Sequence, residues 1–270
     1  MSNKKNGLVL FFMVIIFMYF CFMRKIIILL ILVLLSSSIF SQVINIEQER
    51  IKTDTIGWNG TVQISFQYLK NKSEVWNVGT RLHSQYKTNK SLILFITDYT
   101  LSKSAGSDFA NAGVQHVRYN YKFKKWLIGE AFTQVQFNKI LNVNFRWLGG
   151  LGPRFQVLKT SNLRIYAATL YMYEYEELVN HIYNRDHRLS SYISFSYHLT
   201  KNLSLSNTTY YQPKFNHFGD YRISSQTDMK IGIFKHLSFK LSYLYFYDVV
   251  PAECAPRETQ ALNNTLSFEF

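Results

Sequence analysis

The stretch Thr61-Val62-Gln63-Ile64-Ser65-Phe66-Gln67-Tyr68 sets an apolar side chain at every second position and an uncharged polar or small one between. Successive side chains of a β-strand point to opposite faces, so this is a strand with one greasy face and one wet face. The same period returns along the chain. Trp76, Val78, Leu82 and Tyr86 alternate with Asn77, Arg81, His83 and Gln85. Leu189, Ile193, Phe195 and Tyr197 alternate with Arg188, Ser194, Ser196 and His198. Leu237, Phe239, Leu241, Tyr243, Tyr245 and Tyr247 share one face. Extending this reading predicts twelve strands, near 58–69, 74–87, 91–101, 109–122, 126–138, 142–156, 163–177, 187–199, 203–213, 221–233, 237–248 and 259–270. Ten strands is the alternative count, because the third, sixth and seventh alternate least regularly. No helical periodicity competes and no linker interrupts, so 57–270 reads as one all-β domain.

The connections suggest how the strands are joined. Thr88-Asn89, Phe123-Lys124-Lys125, Thr160-Ser161-Asn162, Thr200-Lys201-Asn202 and Phe234-Lys235-His236 make short turns at one end. At the other end 177–186, 214–220 and 249–258 read as longer loops. An even-stranded meander with this asymmetry matches a closed, antiparallel, up-and-down transmembrane β-barrel with periplasmic turns and both termini on the periplasmic side. Closure is required, because unpaired backbone groups cannot face lipid.

Composition agrees. The chain has 270 residues with 22 Phe, 19 Tyr and 4 Trp, and only 12 Gly and 4 Pro. That aromatic content excludes a disordered chain. Tyr at strand ends (Tyr68, Tyr86, Tyr197, Tyr211, Tyr247) suits a membrane interface, where a ring with an apolar body and a polar tip is at home. A water-soluble barrel would reverse the polarity, with its apolar face inside. Lys+Arg number 30 against 17 Asp+Glu, a net charge of +13 spread thinly over turns and strands. This spread does not point to nucleic acid.

The segment 1–41 differs from the rest. Gly7 to Met23 is apolar, Arg24-Lys25 interrupts, and Ile26 to Leu35 is apolar again. Met23, the basic pair, the apolar run and Ser36-Ser37-Ser38-Ile39-Phe40-Ser41 have the parts of a secretory signal, with cleavage expected after Ser41 and the true start at Met23. Residues 42–56 are then a short periplasmic segment. Removal leaves Cys254 as the single cysteine, so the exported barrel forms no intramolecular disulfide.

Gly57-Trp58-Asn59-Gly60, the turn Asn71-Lys72-Ser73, the run Leu199 to Leu205, Phe218-Gly219-Asp220-Tyr221-Arg222 and Leu237 to Tyr243 together resemble the YdiY-type outer-membrane proteins, over about 55–270. The chain departs from that pattern at Val250-Pro251-Ala252-Glu253-Cys254-Ala255-Pro256, which carries a Cys. The resemblance implies an outer-membrane barrel of a salt- or acid-induced family whose domain has no established chemistry. It supplies no catalytic residues. The terminal alternation ending in Phe268 and Phe270 resembles the signal read by the barrel-assembly machinery.

The polar face carries the candidate functional residues. Arg81, Arg118, Arg146, Arg188 and Arg222 fall on alternate strands, joined by Arg164, Lys230 and Lys240, with Glu130, Glu174, Glu176 and Asp228 as inward acids. Rings of Arg and Lys favour anions in pores. The preferred reading is instead a plug of salt bridges, because Arg pairs bidentately with carboxylates and a barrel of twelve strands is narrow enough for long side chains to fill. Ser196 and His198 share a face, as a barrel-wall hydrolase would need, but such spacing is common in Ser-rich strands. His181 and His187 with Asp186 and Glu176 or Glu177 are too loosely spaced for a metal site. The expectation is therefore an outer-membrane barrel of a Gram-negative envelope with a structural, stress-related role and no enzyme activity, cofactor or metal. Its expected partners are outer-membrane lipids and, during assembly, periplasmic chaperones and the assembly machinery. A narrow pore for anionic solutes and a barrel-wall lipid hydrolase are the alternatives.

Overall fold

The computed structural model describes residues 56–70, 74–104, 107–139, 141–253 and 255–269. The expectations for the signal segment, for Asn71 to Ser73, for Cys254 and for Phe270 lie outside the described residues.

Twelve strands form: β1 (Gly57–Lys70), β2 (Glu74–Lys87), β3 (Ser91–Ser104), β4 (Ser107–Lys122), β5 (Leu127–Asn138), β6 (Val143–Lys159), β7 (Leu163–Leu178), β8 (Tyr183–His198), β9 (Leu203–Lys214), β10 (His217–Gly232), β11 (Leu237–Asp248) and β12 (Glu258–Glu269). Each pairs antiparallel with its sequence neighbours, and β1 pairs with β12, so the sheet closes into a barrel. The closing seam is short, running from Thr61 opposite Glu269 to Ile64 opposite Leu266. The count is twelve, and the ten-stranded alternative is set aside.

Strand boundaries agree with the alternation to within a few residues, except at the end away from the termini. There β8 begins at Tyr183 and β10 at His217, so the connections shrink to 179–182 and 215–216. The predicted long loops at 177–186 and 214–220 are therefore corrected. Polar residues such as Asp186, Lys214 and Asp220 read as loop, yet they sit on continuing ladders and find ionic partners inside. Only 249–257 is long at this end. We call this the outer end, and the opposite one, which carries the short connections, the turn end.

The barrel is inside-out. Ile64, Leu151 and Ile193 on the outer face are 61%, 64% and 62% exposed, while Gln63, Arg188, Ser194, Ser206 and Asp228 point inward and are buried. An apolar band of this extent on a closed sheet needs an apolar solvent. Aromatic pairs mark both rims of the band. Trp58 stacks near Tyr86 at the turn end, with centroids 5.1 Å apart. Tyr211 meets Tyr221 at the outer end at 5.4 Å, and Tyr221 meets Tyr247 at 6.3 Å.

Two local irregularities shape the lumen. The β6–β7 ladder skips between Leu151–Tyr171 and Arg154–Ala168, at Gly152-Pro153. Pro153 cannot donate to a ladder, and a Cβ on Gly152 would lie 2.6 Å from the Leu170 Cα, so only glycine lets these backbones approach. Asn142 adopts a positive φ of 54° in the turn after β5, a conformation Asn tolerates better than most residues.

Candidate functional site: the barrel lumen

The outer half of the lumen holds one continuous ion-pair network. Glu174, with no exposed surface, accepts from Arg188 on the adjacent β8 at 2.7 Å and is 3.0 Å from Arg146 on β6. It also accepts from Arg222 on β10 at 2.5 Å. Arg222 donates its Nε to Asp248 on β11 at 2.7 Å, and Arg146 pairs closely with Glu176. Arg188 reaches Asp220 at 3.4 Å, and Lys214 sits 2.9 Å from Asp220 and 3.0 Å from Asp186. The contact of Glu174 with Arg222 joins strands three apart, so it crosses the lumen instead of running along the wall.

Nearer the turn end a second group forms around Glu130. Arg118 on β4 donates to Glu130 at 3.0 Å, and Arg154 on β6 does so at 3.4 Å. The Tyr192 hydroxyl on β8 donates to the same carboxylate at 2.7 Å, again across the lumen. His116 is 2.8 Å from Gln134 and accepts from Arg118 Nε at 3.2 Å. The Arg154 guanidinium lies 3.8 Å above the Tyr166 ring, which fixes its direction.

Apolar side chains form two further clusters in the lumen. Phe246 of β11 packs with Leu141, Val143 and Leu178 at the outer end, with Ala252 of the long loop against them. The loop is tied down by Asn142, whose amide donates to the Glu253 carbonyl at 2.8 Å. Ala168, Leu170, Tyr192 and Tyr210 form a second cluster with Phe132. Three groups follow in series along the lumen: an apolar cluster at the outer end, an ionic layer and an aromatic layer.

The structure places the sequence candidates as follows. Arg118, Glu130, Arg146, Glu174, Arg188, Arg222 and Asp228 are buried inside the barrel. Arg81 pairs with Asp98, its Nε donating at 2.8 Å. Asp228 accepts from Gln226 at 2.9 Å. Arg164 and Lys230 line cavities at the turn end. Phe268 faces outward and is half exposed. Sequence reasoning missed Arg154, Asp98, Asp186, Lys214, Asp220, Asp248 and Tyr192 as network members. Arg154 keeps the inward parity of Arg146 and was open to detection; the acids in apparent loops were not.

Among the described residues no group of three or more His, Cys, Asp or Glu could hold a metal ion, so His181 and His187 do not converge on one. His187 turns outward, its ring against Tyr171 and Tyr173. Ser196 and His198 both line the smaller turn-end cavity.

A family model described as "Protein of unknown function, DUF481" matches residues 58–270. No curated protein matches the chain in sequence. Among solved structures the chain is similar in fold to the NanC porin, at TM-score 0.50 and 11% identity over 78% of this chain and 100% of that one. It is equally similar to an outer-membrane channel from Pseudomonas putida F1, at TM-score 0.50 and 12% identity over 80% and 96% of the two chains. At such identities the likeness concerns the fold.

Proposed function

The chain belongs to the DUF481 family, which includes the YdiY-type outer-membrane proteins, and from that premise we propose that it is a closed, non-conducting outer-membrane barrel with a structural role in the envelope. The observation that carries this reading is the lumen-crossing contact between Glu174 and Arg222, backed by Tyr192 with Glu130 and by the apolar cap around Phe246. A conducting pore needs a continuous column of water, and each of these contacts reaches into the section where one would run, which supports the closed reading. Arg forks locked onto carboxylates also do not exchange freely with a passing ion.

The reading assigns no reaction to the barrel wall. Its partners are the lipids around it and, during biogenesis, the assembly machinery that would read the Phe268 end. Export by the segment ending at Ser41 belongs to the same proposal. The fold shared with porins and channels keeps a narrow anion pore as the competing account.

Liposome swelling separates the two. Proteoliposomes of the folded barrel are expected to swell no faster than empty ones in small sugars or in small anionic solutes. Swelling that is faster with anions than with neutral sugars of the same size would replace the closed barrel with the pore.

A further inference from the structure

The two halves of the lumen differ in charge balance. In the outer half five carboxylates (Glu174, Glu176, Asp186, Asp220 and Asp248) meet Arg146, Arg188, Lys214 and Arg222. Toward the turn end Glu130 is shared by two guanidiniums, Arg118 and Arg154, and the buried Asp228 stands two residues before Lys230 on the inner face. Beyond it the mouth opens into two cavities that meet at His198. The smaller, of about 140 Å³, is lined by Lys87, Lys90, Lys122, Arg154, Lys159 and Arg164. The larger, of about 510 Å³, is lined by Lys201, Lys230 and Lys235, with His236. Among the described residues that line either cavity there is no Asp or Glu.

The ordinary account of turn lysines is that they splay into water or toward lipid head groups. Lys124 fits it, with its ammonium 5.7 Å from the outward Trp126 ring. Arg154 does not fit it. It is only 4% exposed, held between Glu130 and the Tyr166 ring and aimed into the mouth. A concave mouth lined by one sign of charge and walled by protein concentrates the opposite charge. Planar guanidiniums together with mobile ammoniums suit phosphoryl oxygens.

We propose that the turn-end mouth is a binding site for a multivalent oxyanion of the phosphate class, entering from the periplasmic side. This goes beyond the closed-barrel reading, since an anion can be held at a mouth whether or not the lumen beyond it conducts. The chemistry is shared by soluble phosphates and by phospholipid head groups. The position inside the strand ring favours the soluble source, because the wall separates it from the bilayer.

The test is calorimetric titration of the folded, detergent-solubilised full barrel with tripolyphosphate, compared with Arg164→Gln, Lys230→Gln and the exterior pair Lys124→Gln/Lys125→Gln. Heat-modifiable gel mobility confirms that each variant is folded. Each mouth variant is expected to weaken binding at least fivefold, the exterior pair less than twofold, and added salt to weaken wild-type binding steeply. Should Arg164→Gln fail to fold, Lys230→Gln carries the comparison alone. Absent or salt-insensitive binding, or equal loss in the exterior pair, overturns the site. Association only with phosphatidylglycerol vesicles, and not with tripolyphosphate, overturns the soluble source and places the phosphate contact on the outer wall. None of these outcomes depends on the swelling result, so the two proposals fail separately.

Discussion

Glu174→Ala is the substitution on which the interior account leans hardest. The carboxylate is fully buried and touches three guanidiniums, at 3.0, 2.7 and 2.5 Å. Hydrogen bonds to charged groups contribute about 1.5–3 kcal/mol each when they stand alone. They are not additive here, because all three share one acceptor. The larger effect is that removal strands buried positive charge, which costs about 3–5 kcal/mol for a broken buried pair. Arg146 and Arg222 retain second acids, Glu176 and Asp248, so the lower part of that range is expected, about 3 kcal/mol. Denaturant unfolding of the folded barrel in detergent, followed by gel mobility and tryptophan emission, gives the number. The sharper readout is a double-mutant cycle with Arg222→Leu. Residues in direct contact couple by about 0.5–3 kcal/mol, whereas distant ones add to within about 0.3–0.5 kcal/mol. A coupling above about 1 kcal/mol is expected for Glu174 and Arg222. Additive effects, or a Glu174→Ala loss under about 1 kcal/mol as for exposed ion pairs, would mean that water screens the contact and that the lumen is open.

Gly152→Ala puts a methyl group against the β7 backbone and is expected to destabilise by about 1–3 kcal/mol, seen as a lower denaturant midpoint; an unchanged midpoint would show that the β6–β7 approach is looser than described. Asn142→Ala removes the tether to Glu253 and strains the positive-φ turn, so trypsin cleavage after Arg257 is expected to quicken severalfold. Asn142→Gly relieves the strain but not the lost tether, so it is also expected to be cleaved faster than the wild type, and wild-type protease resistance in both variants would contradict the loop's role as a cap. All four tryptophans (Trp58, Trp76, Trp126 and Trp147) face outward, so brominated lipid is expected to quench their emission strongly and aqueous acrylamide weakly. The reverse order would place the apolar face inside.

Much of this fold was legible because the period-2 pattern is a local property of each strand. It succeeded where one face is polar, as around Arg188 and Ser194, and it placed Arg146, Glu174 and Arg222 on the inner face. It weakened at Leu94 and Ile96, which are apolar yet point inward with no exposed surface, so the third strand reads as apolar on both faces. It failed at 183–186 and 217–220, where polar residues continue a ladder beyond the apolar band and resemble loop. The partnership of Glu174 with Arg222 could not be read at all. Which residues meet across a lumen depends on strand number and stagger together, and both are properties of the closed sheet. The turn-end charge was visible as a list of lysines, but its division between an outer wall and an inner mouth needed the direction of each side chain.

Planar-bilayer recording of the purified wild-type barrel tests the closed lumen most directly. The account predicts no unitary current steps at moderate voltage from protein whose gel mobility shows it folded, with Glu174→Ala as the variant in which steps would first arise. Stable, ohmic steps from the wild-type protein would contradict it.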